Sequence, residues 1–317
     1  DTVGAVSLGQ IPLFHRNYAG LLFNTDAIPA PYCYRCPHNR ARPERADARS
    51  YRNCQWECLR PLEKRLEQAH RKGKPYSAFV FEPRIQGAAG MIAQPDGWLA
   101  KATRLVREQG AQLVADEVMT GFGRTGNRRG PSLFACGQEG IQPDFLCVAK
   151  GLAGGYLPVA ATLTTQDVFN VFLGRYDEFK TFFHGHSFTG NPLAAATALA
   201  SVQLLSERQS FDQRLELESV LQEALESLWS SPYVGDIRQV GLVAGIELVR
   251  NWRTREAFRL EERAGIRVCD AMARRGVLTR PIGNVIALMP PYCTTARQLK
   301  QMVAALRDGI DESLGRF

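Results

Sequence analysis

Three short apolar runs, each ending on an ionisable residue, constrain this chain more than any other feature. Ala78-Phe79-Val80-Phe81 ends at Glu82-Pro83, Leu113-Val114-Ala115 ends at Asp116, and Phe145-Leu146-Cys147-Val148-Ala149 ends at Lys150. Runs without polar alternation are the pattern of strands covered on both faces. Helical periods lie between them. Pro61 opens one helix with Leu62, Leu66 and Ala69 on one face and Gly73 at its end. Asp96 is placed to cap a second, with Trp98, Leu99, Ala102, Leu105 and Val106 on one stripe before Gly110. The expected architecture is α/β with a largely parallel sheet, and such sheets collect ligands at the carboxyl ends of their strands. Glu82, Asp116 and Lys150 then share one rim.

Further along, Asn191-Pro192 starts an Ala-rich helix over 192–205, followed by an amphipathic stretch over 211–228. Strands are expected over 240–249 and 285–289, and helices over 263–274 and 296–314. A boundary near residue 206 divides a large domain (1–205) from a smaller one (206–317), and no internal repeat is visible. Residues 26–58, rich in Pro, Arg, Cys and Tyr and without a period, form a long irregular excursion.

Lys and Arg outnumber the acids 39 to 32, for a net charge of +7. The clearest basic cluster, residues 35–52, is mixed with Pro, Glu and Asp and lacks a nucleic-acid reading motif, so a solvated loop is expected and no nucleic-acid partner. No apolar run approaches the ~18 residues of a membrane span. The many thiols suit a reducing, cytoplasmic compartment. The chain begins at Asp1 without a targeting pattern, as a processed chain or a fragment would.

Lys150, after five apolar residues and before Gly151, places an amine at the mouth of a buried strand, where burial favours a neutral nucleophile suited to Schiff-base chemistry. The alternative is a Lys that snorkels into solvent. Asp116 ends the neighbouring strand, and a carboxylate there needs a partner; a pyridinium nitrogen is one, and capping the turn over 117–123 is another. The segment His184-Gly185-His186-Ser187-Phe188-Thr189-Gly190-Asn191 supplies hydroxyls and backbone N–H groups just before a helix, fit for a phosphate or for plain capping. Arg280, in Thr279-Arg280-Pro281-Ile282-Gly283, can grip a carboxylate bidentately or pair with a surface acid. Cys136, Cys147, Cys269 and Cys293 sit among apolar residues as core thiols. Cys33-x2-Cys36 and Cys54-x3-Cys58 can offer four thiolates to one tetrahedral metal, but the looser second pair argues against it, and no metal is assigned to the site.

Together, Phe81-Glu82-Pro83 with Gln86-Gly87, the run Ala115-Asp116-Glu117-Val118-Met119-Thr120-Gly121-Phe122-Gly123-Arg124-Thr125-Gly126, and Ala149-Lys150-Gly151 resemble the class III pyridoxal-phosphate aminotransferases over nearly the whole chain. The 34-residue separation of Asp116 and Lys150 suits that family. Within it, residues 184–194 and Arg280-Pro281-Ile282-Gly283 with Leu288-Met289-Pro290-Pro291-Tyr292 are most similar to a biotin-pathway branch. Met119, where many members carry Gln, agrees with that branch, which has an apolar residue there.

The resemblance implies a fold-type-I pyridoxal-phosphate transferase, an α/β/α large domain followed by a smaller α+β domain. It makes Lys150 the Schiff-base lysine and Asp116 the pyridinium partner. His186 and Ser187 would serve the cofactor phosphate across the interface of a homodimer, and Gly185 would line the substrate pocket. Arg280 would bind the carboxylate of an oxo acid, and Arg124 and Asp1 match positions near the amino-donor site. The implied reaction is transamination of a biotin-pathway oxo acid, with S-adenosylmethionine or lysine as donor. The family carries a further N-terminal portion before the residues matching Asp1-Thr2, so the chain is expected to be a C-terminal part. The alternatives are a class III enzyme acting on an ω-amino acid or diamine, and a metal-binding interaction module built on the four clustered cysteines.

Overall fold

The three apolar runs are adjacent strands of one sheet in the computed structural model, which describes residues 2–9, 11–126 and 132–315. The chain enters through helices α1 (Val3–Gly9) and α2 (Pro12–His15) and a 3-10 stretch (Arg16–Leu21), then crosses the irregular excursion to α3 (Arg60–Arg71). β1 (Ala78–Phe81), a small hairpin of β2 (Ile85–Gln86) and β3 (Ile92–Ala93), α4 (Trp98–Glu108), β4 (Gln112–Asp116), α5 (Ala135–Gln138), β5 (Phe145–Val148) and β6 (Ala161–Thr164) follow. The sheet order is β1-β4-β5-β6; the first three strands are parallel and β6 is antiparallel. Helix α3 buries Leu62 and Leu66, and α4 buries Leu99 and Ala102, against Leu113 and Ala115 of β4. That layer sets the strand ends toward one side.

After α6 (Gln166–Val171), Asn191 caps α7 (Pro192–Ser206): its Oδ1 accepts the N–H of Leu193 at 2.9 Å and of Ala194 at 3.3 Å. Glu207, in extended backbone, is the only residue between α7 and α8 (Arg208–Glu226), at the expected domain boundary. An antiparallel sheet follows, β10-β11-β8-β7 with β9 beside β8, built from β7 (Val234–Val240), β8 (Val243–Asn251), β9 (Glu256–Ala257), β10 (Pro281–Ile282) and β11 (Val285–Leu288). Helices α8, α9 (Ala264–Ala273) and α10 (Ala296–Leu314) cover it through Leu221, Val268 and Leu306 packed on Ile246, Leu248 and Ile286. The hairpin β2–β3 belongs to this second sheet's surface: Ile85 and Met91 pack on Val243 and Val285.

The structure corrects several expectations. The single strand over 240–249 is a hairpin, because Gly241 (φ +60°) reverses the chain and β7 precedes it. β7 hides its strand character by burying Asp236 and Arg238 among its apolar residues. Asp96 does not cap α4; Gly97, with φ +83°, stands there without a side-chain bond. Cys293 is exposed rather than packed in a core, whereas Cys136 and Cys269 are buried. The basic segment over 35–52 is not merely a solvated loop. Arg35 Nε donates to Glu247 Oε1 (2.8 Å), Arg45 Nη1 to the Val234 carbonyl (2.6 Å) and Arg49 Nη2 to the Gln239 carbonyl (2.8 Å). The excursion is thus strapped onto the second sheet.

Its strap leads into a buried ionic cluster. Arg238 donates to Asp236 Oδ2 (3.2 Å) and Glu247 Oε2 (2.9 Å), and to the carbonyls of Met91 (2.6 Å) and Gly90 (2.7 Å). One guanidinium therefore joins the small hairpin to the second sheet, and its position 4.8 Å from the Tyr32 ring centroid adds the excursion. Among the described residues, no helix is long and apolar enough to cross a membrane.

Candidate active site

The parallel strands end where the charges begin. Glu82 follows β1, Asp116 is the last residue of β4, and Lys150 lies two residues past β5. All three line a cleft of about 2300 Å³, with Gly87, Met119 and Arg280 also on its wall. The sequence expectation of one rim is met at these three strand ends.

Lys150 sits in an unusual backbone. After extended Ala149 it takes φ +46°, the left-handed region that a residue with a side chain enters at a cost of about 1–3 kcal/mol. The turn Lys150–Ala153 is held there by α7, whose Ser201 Oγ donates to the Gly151 carbonyl (2.9 Å). Gly151 is required at this point, since a Cβ would press on the Phe122 Cβ at 2.9 Å and on its ring at 3.0 Å. Strain held by packing is characteristic of functional positions.

Asp116 Oδ1 accepts the Val118 N–H at 3.0 Å, which fixes the carboxylate at the strand end. Next to it, Glu117 turns inward and is fully buried, accepting the N–H groups of Ala135 (2.7 Å) and Cys136 (2.8 Å) at the start of α5. Burial raises the Glu117 carboxyl's pKa, against these donors. The Glu82 carboxyl is pushed up to about 7, chiefly by burial, with the Gly87 N–H (3.0 Å) opposing, Asp116 adding and Lys150 opposing. Glu82, Asp116 and Lys150 are thus near enough to act on one another electrostatically. Gln94 fixes the first of them from behind, donating to the Glu82 carbonyl at 2.8 Å.

The remaining expected residues are placed differently. Arg280 is exposed on the cleft wall just before β10. Gly185, His186 and Ser187 lie in an exposed loop before α7 and are not on the wall of this cleft. There the His186 N–H donates to Thr189 Oγ1 (3.2 Å), and His186 Nδ1 accepts the Phe188 N–H (3.3 Å). Arg124 is spent on packing: Nη1 donates to the Pro290 carbonyl (2.6 Å), and its guanidinium lies 4.3 Å from the Tyr292 ring centroid. It is not on the cleft wall. Asp1 lies outside the described residues. Glu117 and Gln94 went unassigned in the sequence because neither ends an apolar run. The polar pattern Asp116-Glu117 does not say which carboxylate faces out.

Comparison with known proteins shows what the chain is similar to. The model of the class-III aminotransferase family matches residues 1–310. The adenosylmethionine-8-amino-7-oxononanoate aminotransferase of Geobacter sulfurreducens is 46% identical over 314 residues, covering 99% of this chain and 65% of that protein. The enzyme of the same name from Nitratidesulfovibrio vulgaris is 48% identical, covering 98% of this chain and 54% of its own length. The chain thus spans about half to two thirds of these relatives. In structure it superposes on that aminotransferase from Methanocaldococcus jannaschii with TM-score 0.84 at 35% identity, covering 99% of this chain and 66% of the other. An amine transaminase from an uncultivated Pseudomonas species, in its PLP-bound form, gives TM-score 0.85 at 30% identity, covering 98% of this chain and 67% of the other. Matched along nearly its whole length in sequence and in fold, the chain belongs to the class-III aminotransferases.

Proposed function

We propose that this chain carries the lysine and the ring-nitrogen partner of a pyridoxal-phosphate-dependent transamination, converting 8-amino-7-oxononanoate to 7,8-diaminononanoate in biotin synthesis. The observation that carries this reading is the convergence of Asp116 and strained Lys150 on one cleft wall, with Arg280 on that same wall. The names of the curated relatives support the substrate. The donor set fits the cofactor. Lys150 offers an amine to an aldehyde carbon, and Asp116, with Oδ1 held by Val118, offers a fixed carboxylate to a pyridinium nitrogen. When bound, pyridoxal phosphate supplies the electron sink that stabilises negative charge on the substrate carbon.

The chain's own residues then have separable tasks. Lys150 Nζ would hold the cofactor and would take and return the proton at the amino-bearing carbon of the substrate. Asp116 would hold the ring nitrogen in its protonated form. Arg280 orients the oxo acid by its carboxylate. Gly87 leaves room beside Met119, because a Cβ there would overlap the Met119 thioether and narrow the cleft. His186, Ser187 and Gly185 serve the phosphate and substrate of a second copy in a homodimer. Their exposed loop, away from the cleft of their own chain, supports this arrangement. Arg124 acts by holding Pro290 at the cleft edge, and Asp1 is kept as a donor-site residue by resemblance.

Absorbance of the purified chain with added pyridoxal phosphate, then borohydride reduction and mapping of the labelled lysine, tests the cofactor assignment. Label on Lys150 is expected; label spread over surface lysines overturns it. A donor and acceptor screen tests the substrate. Turnover of simple amines with 2-oxo acids, and none with 8-amino-7-oxononanoate, would replace this reading with an amine transaminase.

A further inference from the structure

Two residues that carry side chains take left-handed backbone on either side of one contact, Lys150 at φ +46° and Phe122 at φ +58°. They meet through Gly151. Its Cα lies so close to Phe122 that an added Cβ would stand 2.9 Å from the Phe122 Cβ and 3.0 Å from its ring. The turn that presents Lys150 therefore rests on Phe122. Phe122 is buried, and its ring meets Phe134 edge-on with centroids 5.4 Å apart. Left-handed backbone at such a residue costs free energy and persists where the surroundings hold it.

A hold on Phe122 comes from the far side of the molecule. Tyr292, in the segment between β11 and α10, donates its hydroxyl to the Phe122 carbonyl at 2.8 Å. The donor is itself fixed. Its ring packs on the core of the second sheet, and its own carbonyl accepts Gln213 Nε2 of α8 at 3.2 Å. The guanidinium of Arg124 lies 4.3 Å from the Tyr292 ring centroid and that of Arg214 5.6 Å from it. Burial raises the pKa of the Tyr292 hydroxyl, with these two guanidiniums opposing, so the group stays protonated and able to donate. The path from Tyr292 to Phe122, to Gly151 and so to Lys150 is continuous contact.

We propose that Tyr292 is a positioning residue for Lys150, acting through the Phe122 carbonyl and the Phe122–Gly151 contact. The inference rests on the reading of Lys150 as the cofactor lysine. One hydroxyl, 170 residues away in sequence, ties the segment that follows the second sheet to the turn at the end of β5. Without it the Phe122 carbonyl loses this donor, and Phe122 can relax toward the ordinary backbone regions. The support under Gly151 then withdraws. Ser201 of α7 still holds the Gly151 carbonyl at 2.9 Å, so the turn loosens rather than unfolds. Lys150 keeps its chemistry but loses its fixed place beside Asp116 and Glu82, and a misplacement of about 1 Å is enough to cost a reaction ~10²-fold.

The test reads the turn before it reads the cofactor. Tyr292→Phe keeps the ring and removes the hydroxyl, and Phe122→Leu keeps an apolar side chain and removes the ring. Within residues 149–155 the Leu152 N–H donates to the Ala149 carbonyl (3.0 Å) and the Gly154 N–H to the Gly151 carbonyl (3.3 Å). Hydrogen exchange of that peptide, without cofactor, should speed up at least ~5-fold in each variant, with native circular dichroism. Labelling of Lys150 by pyridoxal phosphate and borohydride, at sub-saturating cofactor, should fall by a similar factor. Both changes cut the same path, so adding Tyr292→Phe to Phe122→Leu should alter either readout less than ~2-fold. Tyr176→Phe, at an exposed position, should alter neither. Unchanged exchange in Tyr292→Phe, faster exchange without loss of Lys150 label, or additive effects in the double variant each overturn the proposal. Where Phe122→Leu does not fold, Tyr292→Phe decides alone. Label on other lysines of the wild-type chain instead overturns the cofactor reading of Lys150, and exchange still decides whether Tyr292 holds the turn.

Discussion

At the scale of single residues, chemistry concentrates where backbone is strained and charge is crowded. Lys150 combines both, at φ +46° beside Asp116 and Glu82. On the proposed reading, Lys150→Ala is expected to abolish transamination in a full-length version of the enzyme while pyridoxal phosphate still binds without a covalent link; retained turnover in a steady-state assay would end its catalytic role. Arg280→Ala should raise KM for the oxo acid more than for the amino donor, and an equal rise in both would count against carboxylate recognition. Glu82 predicts a pH effect. Its folded pKa, about 7, lies above the ordinary 4.5, so the folded chain holds that proton more tightly than the unfolded one. The stabilisation is complete below about 4.5 and is lost as pH rises through about 7. Urea midpoints of the cofactor-free chain should fall across that window, and Glu82→Gln should flatten the fall. Lys150 and Asp116 were legible in the sequence because each ends an apolar run, which makes a charge conspicuous. Arg124 is less legible from sequence. A motif shared with relatives names the residue but not its contacts, which among the described residues include the Pro290 carbonyl and the Tyr292 ring.

At the scale of elements, periodicity carried the reading wherever one face is apolar. Helix α10 spans Ala296–Leu314, as its pattern predicts, and the buried face of α3 is Leu62, Leu66 and Ala69. The misses have physical causes. β6 is exposed at all four residues, so it shows no core pattern, and β7 buries an ion cluster where an apolar stripe would betray a strand. The turn between β7 and β8 depends on Gly241, whose Cβ would overlap the backbone of Arg124 to Gly126; the Leu242 N–H donates to the Arg124 carbonyl at 3.0 Å in the same place. Gly241→Ala combines a left-handed backbone with that overlap. It should cost at least about 2 kcal/mol, read as a lower thermal midpoint. An unchanged midpoint would show that the turn can move away from Arg124.

At the scale of the molecule, Arg238 is the joint. It is buried, and its removal would strand Asp236 and Glu247 without their shared partner while freeing the Gly90 and Met91 carbonyls. Arg238→Met should cost roughly 3–5 kcal/mol in denaturant unfolding. A loss under 1 kcal/mol would mean that apolar packing, not this cluster, holds hairpin, excursion and sheet together. None of this was visible in sequence, since the partners lie up to 148 residues apart. The first sheet has a further consequence. Its end strands are β1 and β6, where Ala78, Val80 and Leu163 are exposed and neither strand carries a Pro or a charge. Such edges template the addition of strands from neighbouring molecules. Concentrated solutions of the chain are therefore prone to aggregate through their sheet margins, and a lysine placed on β6 is the natural gatekeeper.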